Sequence, residues 1–187
     1  MEALSNTIFG VAMTLLAYQV PKDRFLAADP TWDDIWQGYG SHLLALLLSF
    51  VVAGMFWYSH LRRLAFSPEG SRVEMFVNLL FLLSIILLPV STGLFGSYMM
   101  SADVSALYGL NLTLISTLNT ALWLIAAWPR RDWAAVVAPA FATVIFIVAS
   151  IIGLFAPFHT RFIWPFAFAA PVLAACAERC QDRRSDS

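Results

Sequence analysis

Charge is what this sequence has least of. Charged residues make up 12% of its 187 positions, about half the share usual in soluble domains, so the polar surface that keeps an ordinary globular fold in water is missing. Neither sign prevails. Eleven Lys and Arg stand against twelve Asp and Glu, a formal net charge of -1, and without a basic surplus there is nothing to displace counterions from phosphates, which excludes a nucleic-acid partner. Cysteine is nearly absent: Cys176 and Cys180 lie four apart near the tail, on one helix face but with no further ligands beside them for a metal. They read as reduced thiols in or near the cytoplasm. The three histidines, His42, His60 and His159, are scattered. There is no Ser-His-Asp order, Gly-rich phosphate loop or zinc spacing, so the sequence implies neither an enzyme nor a metal or cofactor. Nor is there a TVGYG-like stretch from which a filter of backbone carbonyls could be built.

What is present is apolar length. Hydrophobic residues make up 60% of the chain and the mean hydropathy is +0.74, which describes a polytopic membrane protein. Six spans are expected, about Leu4–Val20, Ser41–Tyr58, Val73–Tyr98, Ser105–Trp128, Trp133–Phe155 and Arg161–Ala177, giving an all-α membrane protein with six transmembrane helices. Residues 1–178 form one transmembrane domain and 179–187 a polar cytoplasmic tail. Between the first two spans, PKDRFLAADPTWDDIWQGYG reads as a loop lying partly in the interface, where Trp32, Trp36 and Tyr39 suit the headgroup level. His60, Arg62 and Arg63 mark the second span's exit into water. Pro89 kinks the third span, and Asn111, Ser116, Thr117 and Asn119 make a polar seam on the fourth that suits interhelical hydrogen bonding. The first stretch lacks the basic start of a signal peptide and reads as retained. Arg62, Arg63, Arg72, Arg130, Arg131, Arg179, Arg183 and Arg184 fall in one set of loops, and only Lys22, Arg24 and Arg161 in the other. The positive-inside rule makes the first set, and with it both termini, cytoplasmic.

The chain is organised around Leu4–Val20. At about 100° per residue, Leu4, Thr7, Val11, Thr14, Leu15 and Tyr18 share one stripe, while Ser5, Asn6, Phe9, Met13 and Leu16 fall on the other side. Hydroxyls mixed with branched apolar side chains suit a narrow pore wall, because hydroxyls replace water around an ion and apolar rings close by dewetting. The same mixture suits a helix-packing face.

The opening MEALSNTIFGVAMTLLAYQVP resembles the first helix of the transmembrane protein 175 family of potassium channels, whose signature there is Arg-x-x-x-Phe-Ser-Asp. YGSHLLALLLSFVVAGMFWYSHLRRL resembles its second helix, with a Trp-x-x-His ending, and NLLFLLSIILLPVSTGLFGSY its third, with an Asn entry and a Leu-Pro interior. Roughly the first hundred residues carry the match. Leu4 and Asn6 replace the family's Phe and Asp, Ser5 is kept, and the family Arg would fall before Met1. The resemblance implies the bacterial single-repeat form with six helices, a potassium-permeable, multi-pass inner-membrane homotetramer whose partners are potassium ions and the lipid bilayer. It implies a pore lined by the first helix, with Val11 as the main constriction, Leu15 and Tyr18 as further apolar rings, and Thr14 linked to cation preference. It also implies a polar network of Ser5, Asn6, Trp57, His60 and Asn78 that ties this helix to its neighbours. Without the resemblance Trp57 and His60 read as interfacial residues. A non-conducting scaffold of the same fold and a proton leak through the same pore are the alternatives. A transporter would need intramembrane acids or repeated broken halves, whereas Glu74 and Asp103 lie near span ends.

Overall fold

The computed structural model describes residues 2–21, 29–67 and 71–155. Among the described residues five α-helices follow one another: α1 (Glu2–Tyr18), α2 (Trp32–Phe66), α3 (Arg72–Ser97), α4 (Ala102–Ala127) and α5 (Ala134–Phe155), with a 3-10 turn at Trp128–Arg130. Every described element is helical, and α2 to α5 are long and apolar enough to cross a membrane. At 17 residues α1 is shorter, about 25 Å at the usual rise. The expected sixth span, the tail and both cysteines lie outside the described residues.

α3, α4 and α5 begin and end within three residues of expectation. α2 does not, because it starts at Trp32 instead of Ser41 and turns the expected interfacial loop into helix. The cause is a capping box: the Thr31 side chain accepts from the Asp34 backbone N–H at 3.3 Å, and the Asp34 carboxylate accepts from the Thr31 N–H at 2.9 Å. One turn on, Gln37 Nε2 donates to Asp33 at 2.7 Å. Two carboxylates in the first turn also oppose the positive end of the helix dipole. The result is a helix of 35 residues, about 50 Å long, against a hydrocarbon core of about 30 Å.

α3 is the hub, packing against α1, α2 and α4, while α5 packs chiefly on α4. Phe9, Phe81, Phe56 and Phe146 form a chain of rings through the core with successive centroids 5.9, 6.4 and 6.0 Å apart. Helices approach closely where a side chain is missing. A Cβ on Gly96 would lie 3.2 Å from the His42 Cα, and one on Gly109 would lie 3.1 Å from the Ser150 Cα. Small hydroxyls and amides then bond across the contacts, as expected where lipid offers water no entry. Ser49 pairs with Tyr108 at 2.8 Å and accepts from Thr92 at 2.8 Å, and Thr113 pairs with Ser150 at 3.0 Å.

The seam expected on α4 divides. Asn111 donates to the Ser84 carbonyl at 3.1 Å and accepts from Ser91 at 2.9 Å, beside the proline-broken turn of α3, and Asn119 donates to Ser59 at 3.1 Å. Ser116 bonds within its own helix, and Thr117 is exposed. The outside is aliphatic: Leu79, Leu83, Ile86 and Val90 of α3, and Val144, Ile147 and Ile151 of α5, are all exposed. Such a surface would aggregate in water and is the proper one in hydrocarbon.

Candidate functional site

α1 has two faces. Ser5, Phe9, Ala12 and Leu16 are buried against α2 and α3, at spacings of four, three and four that follow one side of a helix. The opposite side is exposed: Leu4 is 51%, Val11 52%, Leu15 40% and Tyr18 69% exposed, and Thr7 and Thr14 are exposed beside them. Their hydroxyls bond inward along the helix, Thr7 Oγ1 to the Ala3 carbonyl at 2.9 Å and Thr14 Oγ1 to the Val11 carbonyl at 2.8 Å.

The inner face is clamped near its N-terminus. Asn6 Oδ1 accepts from Trp57 Nε1 at 3.1 Å, which joins α1 to α2. One turn further in, the Phe9 ring stands 6.0 Å from His60 and 5.9 Å from Phe81, and the His60 ring stacks on Phe81 at 5.7 Å. His60 and Asn78 do not meet directly. Arg63 joins them, its Nη2 lying 3.2 Å from His60 Nδ1 and donating to Asn78 Oδ1 at 3.1 Å, while its Nη1 pairs with the Glu74 carboxylate. An arginine only donates, so His60 Nδ1 is the acceptor and the neutral ring carries its proton on Nε2.

His60 and Arg63 correct the expectation that they mark the exit of the second span into water, for both are fully buried, and Glu74 is buried with them. The reason is local. Arg63 follows His60 by three positions and Glu74 precedes Asn78 by four, so each pair stacks on one helix face, and the two faces meet across the link between α2 and α3. Those spacings were the available signal. The carboxylate balances the guanidinium, so this cluster ties helices together and presents no net charge to a ligand. Among the described residues no three His, Cys, Asp or Glu gather as a metal site. A second tie lies at the same end: Arg130 donates to the Phe66 carbonyl and rests 4.5 Å over the Phe66 ring, closing the C-terminus of α2 against the turn after α4. Ser5, Asn6, Trp57, His60 and Asn78 are thus brought to one end of the bundle, while Val11, Thr14, Leu15 and Tyr18 face outward on the side of α1 away from it.

Together these features define an integral membrane protein, helical throughout its described elements, with a first helix packed on one face and exposed on the other. Residues 1–89 match the model of the family described as "Endosomal/lysosomal potassium channel TMEM175", and the resemblance read from the opening helices is thereby shown. A protein from Streptomyces collinus described as a potassium channel is 26% identical over 129 residues, which are 65% of this chain and 61% of that protein. The chain therefore spans about 61% of the length of the curated relative that it matches. A crystal structure described as that of a lysosomal potassium-selective channel TMEM175 homolog from Chamaesiphon minutus has the same fold. Its TM-score is 0.75 at 21% identity, over 94% of this chain and 95% of that one.

Proposed function

We propose that this protein is a potassium-permeable channel of the inner membrane, a homotetramer of multi-pass subunits with both termini cytoplasmic and α1 of each subunit lining a shared pore. The observation that carries the proposal is the exposed stripe of Val11, Thr14 and Leu15 on α1, a helix that buries Ser5, Phe9, Ala12 and Leu16 on its other face. One helix encloses nothing, so a closed ring of copies is needed to surround an ion path, and cyclic symmetry is the usual way to close one. In that ring Val11, Leu15 and Tyr18 form the apolar constriction and Thr14 supplies the oxygens that favour cations. The clamp of Asn6 on Trp57, with Phe9 against His60, holds the pore helix in register, and the Arg63 cluster braces α2 against α3 behind it. Permeation is governed by ring diameter and the cost of dehydration.

The test is flux. Purified protein in liposomes should pass potassium in preference to sodium under a set potential. No flux above empty liposomes, from a preparation shown to be tetrameric, would favour the non-conducting scaffold. That second reading has its own support in Leu4 and Asn6, which depart from the family's Phe and Asp, and in the broad Tyr18 side chain at one end of the stripe.

A further inference from the structure

Two threonines lie on the exposed stripe of α1, and the reading above uses only Thr14. Thr7 stands seven residues earlier, so the two side chains point the same way about 10 Å apart along the helix, with Val11 between them. Each hydroxyl has committed its single proton to its own helix, Thr7 at 2.9 Å to Ala3 and Thr14 at 2.8 Å to Val11. A hydroxyl has one donor and two acceptor lone pairs. With the proton turned inward, each oxygen offers only lone pairs to the outside, which attract a cation and repel an anion. Of the described neighbours of Thr7 along the helix, Leu4 and Val11 are apolar, and Asn6 is turned to Trp57 at 3.1 Å. The acid in the first turn of α1, Glu2, falls on the opposite side of the helix at about 100° per residue.

We infer that the Thr7 oxygens of the assembled copies form a second cation subsite, on the N-terminal side of the Val11 ring, that takes a partly dehydrated monovalent cation. The inference rests on α1 lining the pore. An apolar ring strips water from a cation at a cost, and acceptor oxygens just before and just after it let that water be exchanged in steps. Neutral hydroxyls suit this task because they bind weakly enough to release the ion. A divalent cation would call for carboxylates, and none lies on the stripe.

The experiment compares potassium flux through liposomes carrying the full chain, wild type or with Thr7→Val, Thr7→Ser or Thr7→Cys. Thr7→Val keeps the shape and removes the oxygen. It should cut potassium flux about tenfold, equivalent to about 1.4 kcal/mol on the barrier, and Thr7→Ser should recover most of that loss. Thr7→Cys, made with Cys176→Ser and Cys180→Ser, should conduct and be closed by micromolar cadmium, to which the double serine variant alone is indifferent. Flux through Thr7→Val equal to wild type, or a Thr7→Cys channel that cadmium does not close, overturns the subsite and leaves the pore reading standing. Wild-type tetramers without flux overturn both. Should Thr7→Val fail to assemble, Thr7→Ala takes its place, a loss of about tenfold supporting the subsite and wild-type flux overturning it.

Discussion

Arg63 is the residue on which the packing behind α1 turns. It is fully buried, and its neighbours Glu74, His60 and Asn78 each accept from it. Removing one partner of a buried ion pair strands the other charge at a cost of about 3–5 kcal/mol, whereas replacing both by apolar groups is often near neutral. Arg63→Met and Glu74→Gln should each lower the thermal midpoint in detergent markedly. Arg63→Met combined with Glu74→Leu should lose much less than the two single losses added, a coupling read from a double-mutant cycle. Additive losses would mean that the two side chains do not form a pair. This cluster was half legible in the sequence. Trp57, His60 and Asn78 stood out through the family's pattern, but an arginine beside Arg62 at the end of an apolar run has an ordinary reading as a snorkelling residue. Only the continuation of α2 to Phe66, followed by a short link to α3, turns Arg63 inward.

At the scale of the element, α1 and α2 were read with unequal success. The 3.6-residue period of α1 separates Phe9 and Leu16 from Val11 and Tyr18 before any coordinates are known, and the burial follows that division. The start of α2 was missed because two tryptophans and two aspartates look like interfacial loop. The informative residues are Thr31 and Asp34, three apart, which close a cap. For α1 the prediction follows from the exposed stripe: in the proposed pore, Val11→Ser would make the Val11 ring wettable, and a polar ring stays hydrated where an apolar one dries. Leak current should rise by about tenfold, the effect of removing about 1.4 kcal/mol of barrier. An unchanged current would move the gate away from Val11.

At the scale of the molecule, the described helices gather on α3, which packs against α1, α2 and α4, and α4 carries α5. Its tightest seams are set by glycine. At Gly109 an added Cβ would meet Ser150 Oγ at 2.6 Å and its Cα at 3.1 Å, so Gly109→Val should force α4 and α5 apart at a cost of about 1–3 kcal/mol. A lower thermal midpoint in detergent would register that loss, and an unchanged midpoint would show that the seam can open freely. The sequence could mark Gly109 as a small residue in a span but not name its neighbour, because which helices touch is a property of topology and not of any local pattern.

The helices also differ in reach. α1 has 17 residues and α2 has 35, about 25 Å against about 50 Å. The two are fastened together at one end through Asn6 and Trp57, so a bilayer cannot match both. α2 can answer a thin bilayer by tilting or by standing out into the headgroups. With α1 between its neighbours and the proposed pore, lipid reaches it only through them, so a tilt of α2 is handed to α1 at the Asn6–Trp57 bond. Lipid length should then act on the channel as a lever acts on a latch, through the long helix and not the short one.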